Sequence, residues 1–198
     1  MRHVARPHTG YGVSIPRMTQ TAEKQHRLFF ELWPQAAECA ALAAWQAPLH
    51  GLCGGRAMRP ETLHCTLVFL GNVAAHRLEE LVLAAREVVM PPFTLELDAA
   101  RYWRHNHIVY AAPLSPPPEL SGMVAKLEGA LHKRGFRFDA RDHRPHVTLL
   151  RHAQWTDASL PAMPSVRWHG REFVLVESVC GEQGARYKVL ARFPVNSP

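Results

Sequence analysis

The pattern His-x-Thr-Leu occurs twice in the chain, at residues 64–67 and 146–149. Each copy lies in an apolar run that is typical of a β-strand, and the two histidines are 82 positions apart. Because alternate residues of a strand face the same side, the histidine and the threonine of each copy share one face. The repeat therefore predicts two strands that each present an imidazole beside a hydroxyl.

These side chains suit acid–base chemistry on a phosphodiester. Imidazoles titrate near neutral pH, so one of them can accept a proton while the other donates one. The hydroxyls can donate hydrogen bonds to phosphoryl oxygens as negative charge develops there. If the two copies pair across a pseudo-twofold axis, His64, Thr66, His146 and Thr148 converge on one cleft. This chemistry requires no metal ion and no other cofactor.

Alternating strand-like and helix-like segments must position the two motifs. Short apolar or alternating runs predict strands, and longer runs with apolar residues at helical spacing predict helices. The predicted strands cover residues 27–32, 63–70, 93–97, 107–111, 147–150, 171–179 and 186–193, and the predicted helices cover 34–45, 76–90 and 119–134. We expect Gly71 to close the second strand and residues 181–184 to form a hairpin turn. This mixture predicts an α+β fold rather than an all-parallel sheet.

The composition is compatible with a polyanionic partner. The 198-residue chain has a net charge of +6, and 19 of its 23 basic residues are arginine. The guanidinium group binds phosphate well, and a basic surface attracts nucleic acid. A gene rich in arginine codons explains the same excess, so the charge alone leaves both interpretations open.

Residues 1–25 are polar and interrupted by proline and glycine, so we expect a flexible N-terminal leader followed by one domain over residues 26–198. The chain has no apolar run near the roughly 18 residues of a membrane span and no apolar block of a secretory signal at its start. The four cysteines lack metal-binding spacing, and no third ligand follows His105 and His107. We therefore expect a cytoplasmic protein with free thiols, without a membrane or a metal partner.

The chain resembles the two-histidine (2H) phosphoesterases, and within them the RNA 2′,3′-cyclic phosphodiesterases, which are also described as 2′-5′ RNA ligase-like proteins. The resemblance extends from about residue 27 to residue 193. It rests on the segments RLFFELWP (27–34), LHCTLVFLG (63–71), FTLELDAA (93–100) and RPHVTLLRH (144–152). It implies two pseudo-symmetric α+β lobes, each an antiparallel sheet backed by helices, with both motifs in the central cleft.

The resemblance also implies a reaction and a role for each motif residue. The expected reaction opens the terminal 2′,3′-cyclic phosphate of an RNA end, or of a cyclic nucleotide, to a 2′-phosphomonoester. His64 would donate a proton to the departing ribose oxygen, and His146 would accept one from the attacking water. Thr66 and Thr148 would bind the phosphate, and Arg151 would add positive charge. The symmetry of the motifs by itself allows either order of donor and acceptor, and we expect the enzyme to be a monomer.

Other functions fit the same motifs. The substrate could be a 2′-5′ linked oligonucleotide, and some relatives also join 2′-5′ RNA ends. A module that binds a nucleotide or RNA without turnover belongs to a different class, although a binding module has no need of two imidazoles. Product analysis with a cyclic-ended RNA distinguishes these alternatives.

Three further features stay open at the level of sequence. Tyr110 and Trp103 could stack on an unpaired base beside the cleft, and packing in the core is the alternative for both. The charged residues 141–144 could attract phosphate or could form a solvated turn. In relatives, the opening strand usually leads into a small apolar residue and an acidic residue before the proline. Here Glu31 and the two residues after it replace that pattern, and the role of Glu31 stays unexplained.

Overall fold

The computed structural model describes residues 23–155, 159–181 and 184–195. Its strands are β1 (Gln25–Leu32), β2 (Arg56–Ala57), β3 (Cys65–Ala74), β4 (Thr94–Leu97), β5 (Ala99–Trp103), β6 (Ile108–Ala112), β7 (Val147–Arg151), β8 (Val166–His169), β9 (Glu172–Gly181) and β10 (Gly184–Pro194). Its α-helices are α1 (Ala36–Ala44), α2 (Gln46–Cys53), α3 (Leu78–Arg86) and α4 (Pro118–Lys133). Short 3-10 turns cover Pro60–Thr62 and Ala75–Arg77.

The strands form one large antiparallel sheet and one small one. The large sheet has the order β10-β9-β1-β3-β7-β6-β5, with β2 also paired to β7, and β4 and β8 form a separate pair. Helices α3 and α4 contact each other and the β3 half of the sheet, whereas α2 contacts β2 and β7. The predicted α+β fold with two halves is therefore confirmed.

The two halves of the large sheet meet between β3 and β7. The register there consists of one pair, Cys65 with Val147. These are the central residues of the two His-x-Thr motifs, and both side chains are fully buried. Because successive residues of a strand point to opposite faces, this packing directs the histidines and threonines to the other face of the sheet. The hydrophobic core thus determines which way the motifs point.

The buried face of β1 shows how the strands form. Leu28, Phe30 and Leu32 alternate along the strand and are fully buried in the main core. Phe29 lies on the opposite face, in a smaller cluster with Val174 of β9. Both faces of this central strand are therefore covered, and its apolar sequence reflects that burial.

Several predicted boundaries were wrong. Strand β3 continues past Gly71 to Ala74, because Gly71 adopts a positive φ of 68° and the register with β1 shifts beside it. A glycine in this conformation lets a bulged strand continue instead of ending it. The predicted helix 76–90 ends at Arg86. The sequence prediction also missed α2, β2, β5 and β8, which are short elements stabilised by their neighbours.

Some expectations fall at the edge of the described residues or beyond it. Most of the predicted leader, residues 1–22, lies outside the described residues, and so do residues 182 and 183 of the expected hairpin turn. Gln25, the last residue of that leader, already pairs with Ala74 at the start of β1. Among the described helices, none is long and apolar enough to cross a membrane.

Candidate active site

The two motifs come together at the joint between β3 and β7. His64 directly precedes β3 and His146 directly precedes β7, while Thr66 and Thr148 lie inside these strands. All four side chains are half-buried. The antiparallel pairing brings Thr66 towards His146 and His64 towards Thr148. The structure thus assembles the two motifs into one site.

Both histidines are held by the same local hydrogen bond. His64 Nδ1 donates to the carbonyl oxygen of Thr62 at 2.8 Å, and His146 Nδ1 donates to that of Arg144 at 2.7 Å. A carbonyl oxygen only accepts, so Nδ1 carries the hydrogen in each ring. In the neutral imidazole, Nε2 is then the unprotonated nitrogen that can exchange a proton with a substrate.

Aromatic side chains enclose each imidazole. The His64 ring lies 5.5 Å from that of Phe29 and meets the Tyr187 ring edge-on at 5.1 Å, centroid to centroid. The His146 ring meets those of Trp103 and Tyr110 edge-on, at 4.5 and 5.6 Å. In each case the two aromatic rings also pack against each other, so the imidazole belongs to a cluster of three rings that restricts its rotation and gives Nε2 a defined direction.

Burial lowers the basicity of both imidazoles. The pKa of His64 falls to about 4 because burial disfavours the charged ring and the positive charges of His146 and Arg151 oppose it. The hydrogen bond to the Thr62 carbonyl acts in the opposite direction. Burial also lowers the pKa of His146, and Arg151 adds to that effect. His146 thus affects His64, and Arg151 affects both rings, so the three groups share one electrostatic environment.

Two cavities adjoin at Thr66, which lines both. The first has a volume of about 820 Å³, contains His64 and Arg151 in its wall, and is strongly basic. Its other cationic residues are Arg27, Arg56 and Arg59. The second has a volume of about 610 Å³ and includes His146 and Trp103. The site is therefore an elongated cleft with one motif histidine in each part.

Two predicted site residues are absent from the walls of both cavities. Tyr110 stands opposite Thr148 in the register of β6 and β7, and the tyrosine is only 8% exposed. Its ring packs against His146 and, at 4.2 Å between centroids, against Trp103. Thr148 lines neither of the two cavities. Contact of Tyr110 and Thr148 with a substrate remains a prediction.

Three residues of the site were missed at the level of sequence. Glu31 is fully buried with its Oε2 atom 3.6 Å from His64 Nε2. His143 donates from Nε2 to the carbonyl oxygen of Thr66 at 3.1 Å, which links the approach to β7 with β3. Tyr187 comes from β10, far along the chain. A charged residue inside the apolar run of β1 was a signal for Glu31, whereas no local pattern indicated Tyr187.

His105 and His107, whose spacing is compatible with metal ligands, both lie in the turn between β5 and β6. His107 occupies the turn between β5 and β6 with a positive φ of 55°, and its Nδ1 lies 3.1 Å from the hydroxyl of Tyr102. Within the described part of the chain, no group of three or more His, Cys, Asp or Glu residues could hold a metal ion.

Comparison with known proteins points to the same family as the motifs. The family model of LigT-like phosphoesterases matches residues 32–110 and 112–177. The RNA 2′,3′-cyclic phosphodiesterase of Escherichia coli K12 is 32% identical over 84% of this chain and 95% of the relative. The enzyme of the same name from Archaeoglobus fulgidus is 29% identical over 73% of this chain and 86% of the relative.

Solved structures of similar proteins point to the same family. The crystal structure of E. coli LigT complexed with 3′-AMP aligns with a TM-score of 0.80 and 30% identity, covering 88% of this chain and 100% of that one. Each of the two segments matched by the family model contains one His-x-Thr motif, His64 in the first and His146 in the second. The repeated motif, the joined sheet that presents it and these similarities together show that the chain belongs to the LigT-like phosphoesterases.

Proposed function

We propose that the protein hydrolyses the 2′,3′-cyclic phosphate at RNA ends, leaving a 2′-phosphomonoester. The observation that carries this proposal is the matched pair of histidines, each with Nδ1 bonded to the carbonyl oxygen two residues before it. This arrangement leaves two Nε2 atoms for proton transfer along one cleft, whose His64 half is basic. The activity named for the relatives from E. coli and A. fulgidus supports it.

In this mechanism His146 is the general base. Burial lowers its pKa, so the ring is neutral at neutral pH and its Nε2 can take a proton from water. The resulting hydroxide attacks phosphorus in line with the bond to O3′, which breaks. Opposite sides of the phosphate must therefore face the base and the acid.

His64 is the general acid in the same scheme. Its Nε2 donates a proton to O3′ as that oxygen departs, so that no free alkoxide forms. The role requires a proton on Nε2 at the moment of reaction. Burial opposes this protonation, because it lowers the pKa of His64 to about 4. His64 thus needs a neighbouring group that favours its charged form.

The remaining residues bind the phosphate. Thr66 and Thr148 donate hydroxyl hydrogen bonds to the non-bridging oxygens, and Arg151 balances their charge. The position of Thr66 in the wall of both cavities supports its part in this scheme. Tyr110, which packs against His146, would stack on the base of the substrate.

The proposal includes the organisation of the chain. A leader precedes a single bilobal domain that works as a monomer, and the domain begins by Gln25, the first residue of β1, rather than at residue 26. Both motifs come from a single copy, so one chain supplies a complete site. Cys39, Cys53 and Cys65 are free thiols, which supports a reducing compartment such as the cytoplasm.

The decisive experiment maps the product of a short RNA with a 2′,3′-cyclic end. The purified protein is incubated with this RNA, with 2′,3′-cyclic nucleotides and, as a control, with the same RNA ending in a 3′-phosphate. We expect a 2′-phosphate product from the cyclic substrates and unchanged activity in EDTA. A 3′-phosphate product, or tight binding without turnover, contradicts the proposal. Loss of activity in EDTA that only a divalent ion restores contradicts the metal-free mechanism.

A further inference from the structure

Glu31 is an ionisable group in an otherwise apolar position. Its side chain has no solvent exposure, and neither carboxyl oxygen has a hydrogen-bond partner. In the register of the sheet it lies between Thr66 on β3 and Val174 on β9. A buried, unpartnered carboxyl group destabilises the folded state, which favours an apolar residue here unless the group has a task.

The ionisable group that contacts this carboxyl group is His64. Oε2 lies 3.6 Å from Nε2, the nitrogen that the hydrogen bond to Thr62 leaves available. The His64 side chain is itself only 16% exposed, so little water screens the contact. At this distance the groups form an electrostatic contact rather than a hydrogen bond, and a small closing movement brings them into bonding range.

The counterpart of Glu31 in the other half of the sheet has no carboxyl group. Glu31 pairs with Thr66 of the first motif, and Tyr110 pairs with Thr148 of the second. The two motifs are otherwise alike in hydrogen bonding and aromatic packing. Glu31 is therefore the feature that makes the surroundings of His64 different from those of His146.

Burial acts in opposite directions on the two partners. It raises the pKa of Glu31 to about 9 and lowers that of His64 to about 4. At any pH between these two pKa values the pair holds one proton, either on the carboxyl group or on Nε2. A charged pair and a neutral pair contain the same number of protons, so the proton can change sides without exchange with solvent.

Other ionisable groups surround this pair from each neighbouring element. His146 and Arg151 at β7 act on His64, and Glu31 acts on Cys65 of β3 and on Tyr187 of β10. Arg27 on β1 and Arg59 before the first 3-10 turn act on Tyr187. The positive charges among them favour a carboxylate and oppose a second imidazolium. Among the described residues, Glu31 is the carboxyl group in contact with His64, so it is the natural counter-charge for the protonated ring.

We propose that Glu31 is a positioning residue that shares one proton with His64 and supplies it for donation to the departing ribose oxygen. The carboxyl proton moves to Nε2, which leaves a carboxylate beside an imidazolium. As the bond between phosphorus and O3′ breaks, this proton passes to O3′. The proton that His146 takes from water returns through solvent and restores the pair. Glu31 acts on the substrate only through Nε2 of His64.

This inference rests on the proposed function, and a pH–rate profile tests it in the active enzyme. Glu31→Gln keeps the size of the side chain and removes the shared proton. In the wild type, kcat/KM should fall only as the pH rises towards 9, where the pair loses its proton. In the variant, His64 alone must hold the proton, so the alkaline limb moves to lower pH. The loss at pH 8 should exceed the loss at pH 5 by at least about tenfold. A profile parallel to that of the wild type overturns the proposal, whatever the overall rate.

Matched variants separate this effect from damage to the fold. Glu177→Gln removes another β-sheet glutamate that contacts a histidine, His26, away from the cleft, and it should leave the profile unchanged. Glu31→Asp keeps the carboxyl group and should restore part of the alkaline limb. If Glu31→Asp behaves like Glu31→Gln while both unfold at the wild-type temperature, the carboxyl group is not the source of the effect.

Nuclear magnetic resonance tests the shared proton without any substrate. In the wild type, the ring nitrogens of His64 and the carboxyl carbon of Glu31 should show a common titration step above pH 7. This step should be absent from His64 in Glu31→Gln. The same His64 titration in both proteins overturns the inference. Because no turnover is needed, this result stands even if the RNA assay fails, which distinguishes the inference from the proposed function.

Discussion

His64 and His146 have the same local geometry and differ in what lies beside them. Each donates from Nδ1 to a backbone carbonyl, and each packs against a pair of aromatic rings. The neighbouring strand supplies Glu31 next to the first histidine and Tyr110 next to the second. A symmetric motif can therefore perform two different proton transfers, because the neighbours set the protonation state of each ring.

The first prediction concerns the two histidines as a unit. His64→Ala and His146→Ala should each lower kcat on a 2′,3′-cyclic nucleotide by about 10²–10⁴-fold, the range typical of general acid–base catalysis. The double variant should lose little more than the worse single variant, since either loss already disables the coupled transfer. Steady-state kinetics with circular dichroism as the folding control checks this. Losses that multiply in the double variant would show that the histidines act independently.

The second prediction concerns the acid side of the pH–rate profile. Burial holds the pKa of His146 below its ordinary value of 6.5. A general base works in its neutral form, so kcat/KM falls as the pH drops through this pKa. The midpoint of the acid limb should therefore lie below pH 6.5, as measured with a cyclic mononucleotide. A midpoint above 6.5 would be incompatible with His146 as the base in this environment.

At the scale of elements, short strands place like charges together. Strand β2 has two residues, and its Arg56 stands directly opposite Arg151 of β7. Both arginines line the larger cavity. Like charges directly opposite each other destabilise an antiparallel pair. An anion bound between them relieves this repulsion, so the arrangement fits a phosphate site better than a purely structural role.

The third prediction follows from that pair. Arg56→Gln should raise KM by about three- to tenfold through loss of one cation at the phosphate. Its free energy of unfolding should stay the same or rise by up to about 0.5 kcal/mol, because the repulsion with Arg151 disappears. Arg167→Gln on β8, which lies near Glu96 and lines neither half of the cleft, is the matched control. An unchanged KM together with lower stability in Arg56→Gln would assign this arginine to the fold alone.

The joint between β3 and β7 is a second feature at the scale of secondary-structure elements. One residue pair connects the two strands, and the hydrogen bond from His143 to the carbonyl of Thr66 adds a link beside it. Few bonds thus cross the line where both motifs meet. The buried Cys65 and Val147 stabilise the joint mainly through the core beneath it.

At the scale of the whole molecule, several of the arginines are concentrated in one part of the cleft. Arg27, Arg56, Arg59 and Arg151 line the half of the cleft that contains His64. The chain as a whole has a net charge of +6. A cleft with one sign of charge attracts a polyanion before any specific contact forms. The arginine-rich composition therefore produces a local positive charge beside the first motif.

The fourth prediction tests this field. For a cyclic-ended oligonucleotide, KM should rise steeply with salt, because several phosphates release counterions when they bind. For a 2′,3′-cyclic mononucleotide the rise should be much shallower, since one phosphate is involved. Kinetics of both substrates at several salt concentrations measures the two slopes. Equal slopes would mean that the arginines beyond the catalytic phosphate do not contact RNA.

Local sequence patterns predicted much of the fold, and each exception has a physical cause. The apolar run at 27–32 and the alternation at 93–97 predicted β1 and β4 well, because burial on one or both faces leaves a periodic signal. Gly71 misled the prediction, since a glycine that usually marks a turn here accommodates a bulge. Strands as short as β2 leave no periodic signal, and they exist because a longer neighbour pairs with them.

For the site, the sequence by itself determined the reactive groups. Repetition of His-x-Thr-Leu and the alternation of strand residues are local properties, so they placed an imidazole and a hydroxyl on one face of each strand. Only the tertiary structure decided what surrounds them. The pairing of Cys65 with Val147 joins the two motifs, and β1 and β10 bring Glu31 and Tyr187 to His64. Burial and charge at a site depend on residues distant in the chain, and the protonation of each histidine is therefore a property of the folded sheet.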